Sequence, residues 1–301
     1  MTEETAEGWF AGVAPDDVDA AARRIRDGEA AEPADWPAHA VEGGFATEAD
    51  VYYDRLHEAT VTAARAAVRE RERADDQQLI HAVRAVDDCE RTANELAERL
   101  AEWAGSRDDD ARSGVGYARE LAAEGTEAAS EPGVDPGEAR LRSLAARVAA
   151  LADEADALRE LVTETTPAVA PNLAAMAGPV LAARLIALAG GLDSLAKKPA
   201  GTVQLLGAEN ALFAHLQGSA PSPKHGVIYT HEYVRGTHPD ERGSAARALA
   251  GKLTLAARVD RYSGERKPEL DAELDDRIAT IRARTDDESG GSDAGTGSDG
   301  S

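Results

Sequence analysis

The chain has one cysteine, Cys89, in 301 residues, which excludes a disulfide framework and any cysteine-rich metal site and fits a reducing compartment. Lysine is almost as scarce: five occur, Lys197, Lys198, Lys224, Lys252 and Lys267, all inside one block. No apolar run approaches the roughly 20 residues that cross a bilayer, and the start, MTEETAEGWF, has no basic leader. The expectation is a cytoplasmic protein with no membrane partner. Catalytic punctuation is also missing. There is no P-loop, nucleophile elbow, HExxH motif or cysteine pair, so the sequence reads as a non-enzyme without catalytic residues, cofactor or metal.

What is present is acid. The net charge is −23, with 30% of residues charged, and the excess is uneven. Residues 1–171 carry eighteen Lys and Arg against thirty-nine Asp and Glu, a balance of −21, whereas 172–267 carry twelve against seven, or +5. A chain that elsewhere replaces lysine with Asp, Glu and Arg, yet keeps it in one block, suits a ligand that needs positive charge there; charge alone leaves an ordinary mixed surface equally open. Abundant acid and alanine with little lysine suit a protein dissolved in concentrated salt, and a halophilic source is expected. Counterion-driven phosphate binding weakens steeply as salt rises, so an RNA-binding surface in such a protein leans on hydrogen bonds, shape and a partner.

Length allows two domains. Residues 1–75 offer apolar anchors at Trp9, Phe10 and Trp36 and a helical stretch from Asp16 to Arg26. From Gln77 to Trp103, Leu79, Ala82, Val86, Cys89, Ala93, Leu96, Leu100 and Trp103 step by three and four, a heptad stripe that faces another helix; Cys89 reads as a small apolar residue on it. Breaks follow at 105–116 and at Glu131-Pro132-Gly133. Asp135-Pro136-Gly137-Glu138 then marks a helix start, and Leu141, Leu144, Val148, Leu151, Ala155, Leu158 and Val162 repeat the heptad. Two such helices predict an antiparallel coiled coil; packing in cis, in trans or both stays open. Thr166-Pro167 is expected to end the second helix.

Residues 171–264 are punctuated by glycine. The helix through Val180, Leu181, Leu185 and Ile186 stops at Gly190-Gly191, and Arg184 within it calls for a partner. Pro199 to Leu206 reads as a connector. Gly207, Glu209 and Asn210 open a helix whose free N–H groups suit a phosphate; Phe213 reads first as a core anchor, and His215 is open between stacking and structure. A proline-stiffened loop delivers Lys224, His225 and Gly226 before a short β-like Val227-Ile228-Tyr229. His231 and His238 fit no common ligand spacing and read as solvated loop groups. Arg235-Gly236 and Arg242-Gly243 let backbone approach closely while a guanidinium grips phosphate or a base edge. A helix from Ser244 to Val259 carries Arg247, open between the border of this surface and plain solvation, and a last helix runs Glu269 to Arg284 on Leu270, Leu274, Ile278 and Ile281.

The wording PNLAAMAGPVLAARLIALAGGLDSLAKKPAGTVQLLGAENALFAHL, then SPKHGVIYTHEYVRG and ERGSAARALAGKLTLAARVDRYSG, resembles the Nop domain of archaeal and eukaryotic box C/D ribonucleoproteins and of a related spliceosomal factor. The likeness covers about 95 residues nearly without a gap. It implies a mainly α fold: a small N-terminal domain over 1–75, with α/β an open alternative, an antiparallel coiled coil over 76–166, an all-helical Nop domain over 167–284, and a disordered acidic tail over 285–301. It also implies a scaffold in archaeal box C/D particles, guiding RNA 2′-O-methylation. By resemblance, its partners are box C/D guide RNA, a kink-turn-binding protein of the ribosomal type and the methyltransferase fibrillarin, which brings its own S-adenosylmethionine. The coil would pair two copies through Leu141, Leu144, Val148, Leu151 and Leu158. The RNA-facing residues would be Gly207, Glu209, Asn210, His215, Lys224, His225, Gly226, Arg235, Gly236, Arg242 and Arg247. Asn210 and Ala214 stand where the family has lysine and arginine, removing two cations from that surface. The short N-terminal region keeps a second reading open, an RNA-assembly or ribosome-maturation factor with no methyltransferase docked.

Overall fold

The computed structural model describes residues 8–28, 32–128 and 135–290, and among them there is no strand. The chain divides into two compact units, Met1–Ala74 and Asp75–Ser301.

In the first unit α1 (Val18–Asp27) and α2 (Trp36–Glu42) pack on α3 (Ala49–Glu72). Asp17 and Asp35 start the two short helices, their carboxylates accepting from the N–H groups of Ala20 and Ala38. The aromatic anchors form a small core. Phe10 stacks on Phe45 with ring centroids 5.6 Å apart, and Trp9 Nε1 donates to the Tyr52 hydroxyl at 3.2 Å. The α/β alternative is corrected here: the described residues are helical. Alanine, arginine and glutamate dominate α3, and no alternating β-branched run exists to build a sheet.

The second unit opens with α4 (Asp75–Gly105), α5 (Gly114–Ala128) and α6 (Pro136–Val169). α6 starts as its residues dictate: Asp135 Oδ2 accepts from Glu138 N at 3.1 Å and Pro136 fills the first turn. α4 and α6 are antiparallel, and α5 packs against both near the far end. From α4 the buried line is Val86, Ala93, Leu100 with Ile80, Val83, Ala97 and Ala104; from α6 it is Leu141, Ala145, Val148, Ala155 and Val162. The alternate members of the expected stripes, Cys89, Leu96, Leu144, Leu151 and Leu158, are only half-buried, and Trp103 is exposed. Charge pairs lace the flanks: Arg159 with Glu90, and Arg119 with Asp153 and Asp156 at 2.8 and 3.0 Å. The expected break at 131–133 lies outside the described residues.

Pro167 does not end α6. It sits in the last turn, where its missing N–H deprives only the Thr163 carbonyl, and the helix runs on to Val169, with Ala170 N donating to Thr166 O at 2.8 Å. The expected boundary at 166/167 therefore falls inside a helix.

Among the described residues nine further elements complete the unit: α7 (Pro171–Ala177), α8 (Pro179–Ala189), α9 (Leu192–Lys197), α10 (Ala200–Leu205), α11 (Glu209–Leu216), a 3-10 turn (Val227–Thr230), α12 (Glu232–Arg235), α13 (Arg242–Tyr262) and α14 (Glu269–Gly290), with a long loop after α11. α8 stops at Gly190, which takes the left-handed conformation at φ 85°. Three expectations are corrected. The 199–206 connector is largely helical, the β-like 227–229 segment is a 3-10 turn, and the last helix continues past Arg284 to Gly290; the rest of the expected tail, 291–301, lies outside the described residues.

α13 is the centre of this unit, burying Ala245, Ala246, Leu249, Ala250, Leu253, Ala256 and Ala257 against α7, α9, α10 and α14. One continuous core runs from Leu79, Ile80, Val83 and Val162 at the root of the coil through α7 and α8 to Leu274, Ile278 and Ile281. A polar clasp closes it. Asp260, 8% exposed, accepts from Asn172 N, Asn172 Nδ2 and Leu173 N at 2.9, 2.6 and 2.9 Å, so α13 caps the start of α7. Asn172 Oδ1 in turn accepts from Lys267 N at 2.7 Å.

Candidate nucleic-acid interface

Two loops are stitched together at the surface of the second unit. Gly226 N donates to Gln204 O at 2.8 Å, Val227 N to Leu206 O at 2.7 Å, and Gln204 Nε2 to Lys224 O at 2.6 Å. The contact demands glycine at 226, where a Cβ would lie 2.0 Å from Leu206 O. The 3-10 turn that follows aims Tyr229 back at the loop. His225 lies flat on it, centroids 4.5 Å apart and planes inclined 20°. The Arg242 guanidinium stands 5.6 Å from the same ring centroid, while its Nε and Nη2 donate to Thr237 O and Arg235 O at 3.1 and 3.4 Å. A Cβ on Gly243 would meet Lys224 Cδ at 3.9 Å.

Lys224, His225, Gly226 and Arg242 are thus brought together around Tyr229, and Arg235 joins them only through its carbonyl, which accepts from Arg242. Lys224 and Arg235 are exposed, and neither side chain has an ionic or hydrogen-bond partner among the described residues. Burial holds the His225 imidazole below its ordinary value, and the positive charges of Arg242 and Lys224 add to this. It is a neutral ring between two cations at pH 7, free to stack or to exchange a hydrogen bond.

The Gly207 turn differs from expectation. Its N–H already donates to Glu209 Oε1 at 2.8 Å, so Glu209 occupies the place expected for a phosphate oxygen. Asn210 is exposed on the first turn of α11. Phe213 is no core anchor: it is 63% exposed, and Leu216 is 75% exposed, because α11 projects with its apolar side uncovered. His215 Nδ1 is within 3.0 Å of Ala220 O, which folds the following loop back on α11. Gly236 ends α12 by donating to Glu232 O at 2.8 Å, and Arg247 is exposed five residues along α13 from Arg242.

Tyr229 was hidden in sequence by the strand-like look of its neighbours; its signal was an aromatic four residues after His225. Arg84 and Asp87 of α4 were missed too. With Arg184, Leu188, Gly207, Gly226 and Tyr229 they line a groove of about 650 Å³ beside the cluster, and Arg184 pairs with Asp87 at 2.6 Å. A second groove, about 450 Å³, adjoins it through Arg184 and Thr230 and reaches Arg235. His231 is fully engaged: Nδ1 accepts from Tyr233 N, so Nε2 carries the proton that goes to Met176 O, both at 3.1 Å. No three His, Cys, Asp or Glu side chains converge as metal ligands among the described residues, nor is any single helix there long and apolar enough to cross a membrane.

Comparison with known proteins bears on this geometry. The Nop family model, described as snoRNA binding domain, fibrillarin, matches residues 123–282. An uncharacterized NOP5 family protein of Methanocaldococcus jannaschii is 51% identical over 115 residues, 38% of this chain and 28% of that protein. Nucleolar protein 56 of Saccharomyces cerevisiae is 44% identical over 121 residues, covering 40% and 24%. Nucleolar protein 58 of Scheffersomyces stipitis is 31% identical over 245 residues, covering 69% and 48%. The chain spans less than half the length of each of these relatives. A crystal structure of a fibrillarin/Nop5p complex contains a chain of like fold, with a TM-score of 0.50 and 21% identity over 87% of this chain and 92% of that one. Since the family model takes in both the second heptad helix and the cluster around Tyr229, more than half of the sequence, the chain belongs to the Nop family.

Proposed function

We propose that the chain is a scaffold subunit of a box C/D guide ribonucleoprotein. It binds guide RNA jointly with a kink-turn-binding protein and positions fibrillarin for RNA 2′-O-methylation. The observation that carries this is the convergence of Lys224, His225 and Arg242 on Tyr229 in a chain of net charge −23. Cations gathered beside aromatic rings suit phosphate and base together. Phe213 and Leu216, exposed on α11 where the family cations are replaced, supply an apolar seat for the partner protein.

The role is orientation. Methyl transfer requires the target ribose to be held within reach of the donor, and a rigid arm that fixes both enzyme and guide supplies this without touching the reaction. Leu151 and Leu158, half-buried beside exposed Leu161, offer a stripe for a second copy, whereas Leu141, Leu144 and Val148 are spent within the chain.

A second reading, an RNA-assembly factor with no methyltransferase docked, is favoured by the small helical unit Met1–Ala74. One reconstitution tests both: full-length chain, box C/D guide RNA and kink-turn protein in molar salt, then added fibrillarin, followed by size-exclusion chromatography. A ternary complex lost in Lys224→Gln/Arg242→Gln is expected. No complex with wild type overturns the proposal, and a ternary complex that ignores fibrillarin selects the second reading.

A further inference from the structure

α13 carries Arg242, Arg247, Lys252, Arg258 and Arg261 and a single carboxylate, Asp260, which is turned inward onto α7. Five cations against one buried anion, a balance of +4, reverse the sign of the chain. The N-terminal end of this helix belongs to the interface described above. The C-terminal end carries a separate cluster that the interface does not use.

There Lys197 Nζ and Arg261 Nε share one carboxylate, Asp193, at 2.6 and 2.9 Å. Arg258 Nε donates to Ala196 O at 3.1 Å. Lys198 follows, with no ionic partner among the described residues. The Asp76 carboxylate adjoins them, its Oδ2 accepting from Leu192 N at 3.0 Å, so four cations against two anions leave a local balance of +2. Beside them Tyr262 is 70% exposed, with the Arg261 guanidinium 5.8 Å from its ring centroid. An uncovered ring flanked by cations is the chemistry that takes a sugar-phosphate chain and its bases.

The geometry links the two ends. Arg261 lies nineteen residues beyond Arg242 on an unbroken helix, about 29 Å away at 1.5 Å per residue. A nucleic-acid helix repeats its phosphates at regular intervals, so a stem that crosses the surface from the first site toward the C-terminal end of α13, about 100° further round the helix, meets cations again at the second. A compact acidic protein seated at the first site has no such repeat.

We propose that Lys197, Lys198, Arg258, Arg261 and Tyr262 form a second contact for the backbone of the same RNA, one length of α13 away from the first. The proposal rests on the RNA-binding reading above. Its occupant is a base-paired stem continuing from the segment held by Lys224 and Arg242, and Asp193 releases Lys197 and Arg261 to phosphate as the stem arrives.

The test uses the full chain with the kink-turn protein and two guide RNA hairpins, one with a stem shorter than about 30 Å and one longer. Lys198→Gln/Arg261→Gln is expected to weaken the long hairpin severalfold and to lower the slope of log K against log salt by about 1 to 2, leaving the short hairpin unchanged. Wild-type affinity and slope with the long hairpin overturn the proposal, as does equal weakening of both hairpins. So does the loss of an acidic protein partner while RNA binding holds. Arg242→Gln separates the two readings: it is expected to weaken both hairpins, and no effect on either overturns the RNA-binding reading itself. Lys198→Gln alone, at a half-buried position with no ionic partner among the described residues, serves where the double variant melts early, with half the change in slope expected.

Discussion

His225 and Tyr229 lie face to face with centroids 4.5 Å apart, and the Arg242 guanidinium packs near the same tyrosine. The tyrosine therefore sets where both the imidazole and the cation point. Tyr229→Ala is expected to weaken guide RNA binding about tenfold, in the range of one lost stacking platform, while Tyr229→Phe keeps it. Filter binding with the kink-turn protein present measures both.

Gly226 fixes the loop that holds this arrangement. Gly226→Ala would set a Cβ 2.0 Å from Leu206 O and 2.7 Å from Leu205 C, against backbone that cannot turn aside. A loss of about 3 kcal/mol is expected in urea denaturation. Gly243→Ala is the control: its nearest neighbour would be Lys224 Cδ at 3.9 Å, and stability should hold or rise slightly.

Much of this was legible in the residues. The two heptads showed the coil because apolar positions at steps of three and four can close on only one helix face, and Val86, Ala93 and Leu100 do so. The helix stop at Gly190 was equally plain. Pro167 misled because a proline in the last turn removes one bond, that to the Thr163 carbonyl, without stopping the turn that carries it. Phe213 misled for another reason: an aromatic among alanines is read as core, yet nothing local tells that its helix projects. Tyr229 was concealed because a four-residue 3-10 turn has no periodicity to detect.

The Asn172–Asp260 clasp predicts a second stability effect. Asp260→Asn places an amide where the carboxylate accepts from two backbone N–H groups, leaving a buried donor facing donors. A loss of about 3 kcal/mol is expected, with no change in RNA affinity once folding is accounted for. Chemical denaturation and RNA titration below the transition check the two halves.

His231 sets a pH dependence. Burial is the main cause that holds it below the ordinary histidine value of 6.5, against the opposing pull of the Met176 carbonyl. The unfolded chain therefore takes up the proton first. Its stabilising contribution is complete above the unfolded value, falls as pH drops through it, and levels off below the folded value. His231→Gln should lose less melting temperature than wild type between about pH 7.5 and about pH 5.5, as differential scanning fluorimetry would show.

The coil separates its two faces. Val148→Ala, at a fully buried position, should cost about 2 kcal/mol. Leu151→Glu/Leu158→Glu, on the half-buried stripe, should leave melting nearly unchanged while abolishing the proposed pairing of two copies, read by sedimentation of wild type against variant.

The root of that coil has a mechanical consequence. Leu79, Val83 and Val162 share one core with α8 and α13, and only Ala170 separates α6 from α7. α6 is 34 residues, about 50 Å long. A load at its tip finds no joint in which to dissipate, so it reaches the cationic end of α13 as torque, as a cantilever passes bending to the wall that holds it.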